Sequence, residues 1–292
     1  MAPLSNLTQS PPIKLLLIGD SSSGKTGALA SLAAAGFHLR IIDTDKGISI
    51  LVNYLSDSQS PYVKANPSAI ENVEAVQVSD PLRSANGVLV PKKAEGWQRI
   101  TKLLMDWEDG ETKLGPVSSW GPQDILVIDS LSGLSSLALN FHLMLNGVLG
   151  KNRTQNESRR DMGATQNYLR SLLELLADEG VKCNVIVISH ITTVTEAGGA
   201  PKVEEGKFEG PVPTGYPSAI GRALSPHIPR WFNNMLVVRA TQVGTRTVHK
   251  IFTTSQNLGS QIVSAKTAAP LKVKGEYGVE NGLAEFFADM RR

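Results

Sequence analysis

One stretch of eight residues has the types and spacing of a loop that binds phosphate. Residues 19–26 read GDSSSGKT and match the pattern G-x-x-x-x-G-K-[ST]. Its two glycines permit a tight turn whose backbone N–H groups face phosphate oxygens. The lysine would reach the β and γ phosphates of a nucleoside triphosphate, and the threonine hydroxyl would hold Mg²⁺. We therefore expect ATP to be bound by Gly19, Ser22, Ser23, Gly24, Lys25, Thr26 and Gly27.

The segments around this loop predict the elements that must position it. Residues 13–18 are a continuous apolar run with a lysine near its start, typical of a central parallel strand covered on both faces. Residues 25–35 are rich in Ala and Leu and predict a helix closed by Gly36. Another short strand follows at 39–43. This succession of strand, helix and strand indicates a parallel α/β architecture.

Polar residues at the ends of the other apolar strands are candidates for catalysis. Asp129 ends the run ILVI and would bind the Mg²⁺ shell, unless it only caps the next helix. Asp45, or Asp43, could orient and deprotonate an attacking water. His190 closes the run VIVIS and would sense the γ-phosphate, the alternative being a histidine satisfied at a strand end. Ser130 is interpreted as a helix N-cap.

The composition is that of a globular protein. The chain has 292 residues, 41% hydrophobic and 19% charged, with a formal net charge of +2. This charge is too small to indicate nucleic-acid binding by itself. The single cysteine, Cys183, fits a reducing compartment, and no apolar run approaches the length of a membrane span. We expect a soluble, cytoplasmic protein with a flexible lead-in at 1–12 and a single domain at 13–292.

Further elements are predicted along the chain. We expect helices at 94–109, 131–146, 164–178 and 280–290, and strands at 73–78, 124–129, 185–189, 235–240 and 248–253. The polar, basic stretch between the helices at 131–146 and 164–178 is interpreted as a connection. Residues 194–217 are rich in Gly, Pro and charge and predict a long loop.

The motifs GDSSSGKT, IIDTDKG, ILVIDS and VIVISH, in this order, resemble the core of RecA-like ATPases. Together with RRDMGATQNYLRSLLELL and YPSAIGRALSPHIPRWFNN, they resemble the small phage-encoded RecA-like proteins that anneal single strands, the Sak-type ATPases. The similarity covers roughly residues 13–290. It implies a RecA-like P-loop core with a mainly parallel central sheet flanked by helices, and it implies ATP and Mg²⁺ as cofactors.

The resemblance also implies roles for two residues outside the phosphate loop. RecA-like enzymes activate water with an acidic residue, usually Glu, after the second strand, and the matching residue here is the shorter Asp45. They form oligomers in which a neighbouring subunit completes each ATP site with a basic residue, and Lys266 matches that position. We therefore expect a homo-oligomer, either a ring or a filament, in which Lys266 is catalytic in trans, the alternative being an ordinary surface lysine.

RecA-like proteins bind single-stranded DNA through two loops, which the resemblance places at 147–163 and 191–217. The first contains Lys151, Arg153, Arg159 and Arg160, a basic patch able to follow phosphates. The second contains Lys202 and Lys207, but also several glutamates that oppose phosphate binding. Either segment could instead be an ordinary solvated connection.

Taken together, the sequence favours an ATPase that binds single-stranded DNA and promotes annealing or recombination. A single-strand-binding protein is the expected partner, and a host cytoplasm is the expected location if a phage encodes the chain. Three alternatives stay open at this point: a helicase-like motor, a nucleotide or small-molecule kinase, and an ATP-dependent switch that does not bind DNA.

Overall fold

The computed structural model describes residues 11–85, 87–194, 202–204, 207–209, 213–221, 223–258 and 261–292. The α-helices in these ranges are α1 (Lys25–Ala34), α2 (Ile48–Ser56), α3 (Pro61–Ala65), α4 (Gly96–Met105), α5 (Leu131–Leu145), α6 (Gln155–Ala177) and α7 (Val279–Arg291). Short 3₁₀ turns lie at Ala69–Asn72, Val117–Ser119 and Ser225–Trp231.

The β-strands form one large sheet and several small ones. They are β1 (Lys14–Gly19), β2 (His38–Asp43), β3 (Val73–Gln77), β4 (Leu82–Ala85), β5 (Val88–Pro91), β6 (Trp107–Asp109), β7 (Thr112–Gly115), β8 (Asp124–Asp129), β9 (Asn184–Ser189), β10 (Ile191–Val194), β11 (Lys202–Glu204), β12 (Lys207–Glu209), β13 (Thr214–Pro217), β14 (Asn234–Val243), β15 (Arg246–Phe252), β16 (Gln256–Leu258), β17 (Gln261–Val263) and β18 (Glu276–Gly278).

The central sheet has eight strands in the order β18-β15-β14-β1-β9-β8-β2-β3. The six neighbouring strands β14, β1, β9, β8, β2 and β3 pair in parallel. The strand β15 is antiparallel to both of its neighbours, β14 and β18. The strand β1 precedes the phosphate loop, and β8 ends in Asp129. One strand of the sheet, β9, lies between them. The carboxyl ends of β1, β9, β8 and β2 therefore lie at one edge, where such sheets bind ligands.

Both faces of the sheet are covered by helices. Along β1, Leu15 and Leu17 belong to one buried cluster, shared with residues of α1, α2 and α7. Leu16 and Ile18 belong to a second cluster, shared with α4, α5 and α6. Because successive side chains of a strand point to opposite faces, a strand covered on both sides must be apolar throughout. This explains the continuous apolar runs, and the predicted mainly parallel central sheet flanked by helices is confirmed.

The prediction for the start of α6 is wrong by nine residues, about two and a half turns of helix. The sequence was expected to form a connection up to residue 163, but α6 begins at Gln155. The cause is a capping box, in which the Thr154 hydroxyl accepts the Glu157 N–H and the Glu157 carboxylate accepts the Thr154 N–H. The connection between α5 and α6 is therefore short, and much of the predicted first DNA loop is helical.

Two other predictions need correction. The helix expected at 94–109 ends at Met105, and Trp107 is fully buried on β6. The long loop expected at 194–217 contains strands in its described part, because β13 pairs with β10 and β11 pairs with β12. A small sheet in the order β10-β13-β17-β16 forms beside the carboxyl edge. Within the described ranges, no helix combines the length and the apolar character that a membrane span needs.

Candidate functional site

The phosphate loop follows β1 directly and turns sharply before α1. Ser22 and Gly24 have positive φ angles of 60° and 100°, a backbone conformation that glycine adopts without strain. A Cβ atom on Gly19 would collide with the carbonyl oxygen of Val238 and lie 2.6 Å from Ser23 Oγ. Both glycines of the motif are therefore required by the geometry of the turn.

Lys25 is the first residue of α1, and its side chain reaches back across the phosphate loop. Its Nζ atom donates to the carbonyl oxygens of Gly19 at 2.9 Å and Asp20 at 2.6 Å. Burial lowers the pKa of the Lys25 ammonium, and the Asp129 carboxylate opposes this effect. Farther along α1, Gly27 is buried, and a Cβ atom there would lie 2.8 Å from the ring of Tyr54, which would have to shift.

Thr26 and Asp129 meet at the end of the sheet, as the sequence predicts. The Thr26 hydroxyl donates to Asp129 Oδ2 at 2.6 Å. Burial raises the pKa of the Asp129 carboxyl to about 6; the Thr26 hydrogen bond opposes the rise, and the charges of Asp45 and Asp43 add to it. A hydroxyl and a crowded carboxylate at this edge suit Mg²⁺, which prefers oxygen ligands and is usually completed by water and substrate phosphates. Thr26 and Asp129 would hold such an ion.

Asp45 and His190 lie together beside this pair. His190 follows β9, and its Nε2 atom is 3.5 Å from Asp45 Oδ2. The Ser130 hydroxyl, fully buried, donates to the same oxygen at 2.6 Å. Thr44 fastens this loop to β8, because its N–H donates to the carbonyl of Asp129 and its hydroxyl bonds the backbone of Ser130. The Asp45 carboxylate is thereby held next to the candidate metal ligands.

Asp43 has a different role from Asp45. Its buried carboxylate accepts the N–H groups of Asp45, Gly47 and Ile48, at 3.1, 3.2 and 3.2 Å. These bonds shape the connection between β2 and α2. Because its oxygens are occupied by backbone donors, Asp43 is the weaker of the two sequence candidates for activating water.

Three residues at the site were not assigned to it from the sequence. Ser130 was interpreted only as an N-cap; it does accept the Gly133 N–H, but it also bonds Asp45. The Nδ1 atom of His249, on β15, is 2.8 Å from the carbonyl oxygen of Ser23. Arg239, on β14, lines a cavity of about 340 Å³ beside the loop. The other residues lining this cavity are Asp20, Ser21, Ser23, Ala240, Leu258 and Gln261.

Lys266 lies away from the phosphate loop of its own chain. Its backbone pairs with Met235, and Met235 lies beside Leu16 on β1, three residues before the loop begins. Lys266 is therefore nearer the opposite end of β1. This position gives no support for a role in its own chain's site, and action on a neighbouring subunit stays a prediction.

The predicted DNA-binding residues fall into three groups. Lys151, Arg159 and Arg160 are exposed, the two arginines on the second turn of α6. Arg153 is instead held by Asp161 at 3.0 Å and by Glu157 at 3.4 Å, so its charge is compensated within the chain. Lys202 and Lys207 lie on the paired strands β11 and β12, and their side chains are outside the described part of the structure.

Comparison with known proteins gives distant structural similarity only. No protein-family model and no curated protein matches the chain. Among solved structures, the RadB recombinase is 13% identical, with a TM-score of 0.43 over 94% of this chain and 90% of its own. A KaiC-like protein from Pyrococcus horikoshii is 12% identical, with a TM-score of 0.41 over 92% and 87%. The flagellar accessory protein FlaH from Methanocaldococcus jannaschii is 10% identical, with a TM-score of 0.42 over 92% and 85%. Similarity at this level assigns no function, so the function must be inferred from the geometry of the site itself.

Proposed function

We propose that the chain binds ATP with Mg²⁺ at the carboxyl edge of its central sheet and hydrolyses it. One observation carries this proposal: a phosphate loop with a buried lysine lies next to the Thr26–Asp129 pair, and the Asp45 carboxylate is held beside them. A loop of this shape offers backbone N–H groups and the positive end of α1 to an anion. The adjacent carboxylates supply a metal ligand and a general base.

Each residue has a defined part in the proposed hydrolysis. Asp45 accepts the proton of a water that attacks the γ-phosphate in line, and Ser130 and His190 fix the orientation of its carboxylate. Lys25 places its positive charge on the phosphate oxygens as their negative charge develops. Mg²⁺, when bound by Thr26 and Asp129, would neutralise charge on the phosphates.

We further propose that the protein binds single-stranded DNA and promotes annealing or recombination as an oligomer. Support comes from the exposed Lys151, Arg159 and Arg160 near the start of α6, which can follow a phosphate backbone. In the assembly, a ring or a filament, Lys266 would act on the ATP site of the neighbouring subunit. A Sak-type annealing protein of a phage, working in the host cytoplasm beside a single-strand-binding protein, is the specific form of this proposal.

The test measures ATP turnover with and without single-stranded DNA, and binding of a labelled oligonucleotide with and without ATP. The proposal predicts turnover, and oligonucleotide binding that requires ATP and weakens steeply as salt is raised. Turnover without oligonucleotide binding at low salt would overturn the DNA part and favour a switch or a kinase. A chain that neither binds nor hydrolyses ATP would overturn the whole proposal.

A further inference from the structure

The hairpin formed by β14 and β15 reaches past the end of β1 and lies beside the phosphate loop. Val238 is the last residue of β14 that pairs with β1, opposite Gly19, but β14 continues to Val243. His249 lies on the returning strand, paired with Ala240. The outer part of this hairpin therefore extends beyond the end of β1 and lies next to the loop.

A single histidine connects this hairpin to the backbone of the loop. His249 Nδ1 is 2.8 Å from the carbonyl oxygen of Ser23, and a carbonyl can only accept, so Nδ1 carries the hydrogen. The ring also packs on the loop, because a Cβ atom on Gly24 would lie 3.2 Å from Nδ1. The contact joins residues 226 positions apart in the chain. It is part of the tertiary structure and not of the local turn.

This hydrogen bond fixes the direction of the next backbone N–H group. In a trans peptide, the carbonyl of one residue and the N–H of the following residue point in opposite directions. With the Ser23 carbonyl held towards β15, the Gly24 N–H points away from β15. Gly24 precedes the first residue of α1, so its N–H belongs to the set of donors that such loops direct at phosphate.

We propose that His249 is a positioning residue of the nucleotide site, which holds the Ser23–Gly24 peptide so that the Gly24 N–H faces the phosphates of the nucleotide. This inference rests on the proposed binding of ATP. His249 itself touches the loop and not the reacting atoms. Its removal should therefore weaken nucleotide binding while the chemical step is retained.

The experiment compares three variants with the wild-type chain. His249→Ala removes the donor, His249→Asn places an amide nitrogen where Nδ1 lies, and Val248→Ala is the control on the neighbouring, partly exposed residue of the same strand. The dissociation constant of a non-hydrolysable ATP analogue is measured by calorimetry, and kcat and KM by steady-state turnover. Melting temperature without nucleotide separates this role from a general effect on stability.

The expected result is an increase of about fivefold in Kd and KM for His249→Ala, the effect of one net hydrogen bond, with kcat close to wild type. His249→Asn should restore most of the affinity, and Val248→Ala should match the wild type. Wild-type affinity in His249→Ala would overturn the inference and leave the proposed function intact. If His249→Ala lowers kcat and the melting temperature and Asn gives no rescue, a structural role replaces the positioning role. Failure of the wild type to bind would instead overturn the proposed function.

Discussion

Two lysines beside opposite ends of β1 are buried to the same extent. Lys14 is the first residue of β1, and Lys25 begins α1, after the phosphate loop at the other end. Lys14 and Lys25 are each 6% exposed, and burial lowers the pKa of both ammonium groups, that of Lys14 to about 8. Lys14 donates to the carbonyls of Val181 and Cys183, whereas Lys25 donates to those of Gly19 and Asp20. Burial and hydrogen bonding alone therefore do not separate a structural lysine from a functional one.

The two ends differ in the charge around each lysine. At the amino end, one carboxylate, Asp178, and one ammonium, Lys182, act on the pKa of Lys14 in opposite directions, and the neutral amides of Asn184 and Asn233 bond the backbone of Ile13 and Lys14. At the carboxyl end, Asp129, Asp20 and Asp45 all act on the pKa of Lys25. Buried carboxylates that repel one another, such as Asp129 beside Asp45, are costly, and such groups cluster at functional sites. The difference favours the carboxyl edge as the position of the proposed nucleotide site.

The largest effect on turnover is expected for Asp45→Asn. The amide keeps the shape of the side chain but cannot accept the proton of the attacking water, so kcat should fall by about a hundredfold or more. Affinity for ATP should be retained, because the phosphate loop is unchanged. Steady-state kinetics and calorimetry measure the two quantities. Unchanged turnover would place the base elsewhere.

At the amino end of β1, the pH dependence of the free energy of unfolding should reveal the lowered pKa of Lys14. Its folded pKa of about 8 lies below the unfolded value of 10.5, so the unfolded chain binds more protons between these values. The stability contribution of Lys14 should therefore increase as pH rises from 8 to 10.5, by at most about 3 kcal/mol, since one pKa unit corresponds to about 1.4 kcal/mol.

The free energy of unfolding is measured by denaturant titration for the wild type and for Lys14→Met over this pH range. The difference between the two chains gives the contribution of Lys14. Both chains carry Cys183→Ala, because burial raises the pKa of the Cys183 thiol to about 11 and this group interacts with Lys14. A difference in unfolding free energy that does not change with pH would show that Lys14 keeps an ordinary pKa in the folded chain.

The packing of α5 against the loop that carries Asp45 is tested by Gly133→Ala. A Cβ atom on Gly133 would collide with Thr44 and lie 2.8 Å from Asp45 Oδ1, so the carboxylate must move. We expect turnover to fall by about tenfold, because a small displacement of a catalytic group is costly. Gly163→Ala on α6 is the matched control, since nothing lies within 4 Å of its Cβ position. Equal turnover in the two variants would contradict this account.

The smallest effect is expected for the basic residues at the start of α6. Arg159→Ala and Arg160→Ala should each weaken oligonucleotide binding several-fold and reduce the slope of log affinity against log salt by about 0.7, one phosphate contact on a single strand. Arg170→Ala tests an exposed arginine farther along the same helix and should bind like the wild type. Fluorescence anisotropy over a salt series measures all three. Identical slopes would remove this surface from the proposed DNA site.

The sequence predicts what is encoded locally and fails where distant residues meet. The phosphate loop and the Asp129 strand are short motifs, and both lie where they were expected. The start of α6 was missed although Thr154 and Glu157 carry a local capping signal. The Ser130–Asp45 bond joins residues 85 apart, so no local pattern contains it. The small sheet is likewise missed, because it depends on the pairing of β13 with β17.

The most direct test of the nucleotide site uses the two lysines together. Calorimetric titration of a non-hydrolysable ATP analogue with Mg²⁺ compares the wild type, Lys25→Ala and Lys14→Met, and circular dichroism verifies that all three are folded. We expect the wild type and Lys14→Met to bind alike and Lys25→Ala to lose binding. Undiminished binding by Lys25→Ala, or equal loss in both variants, would contradict the assignment of the carboxyl edge as the nucleotide site.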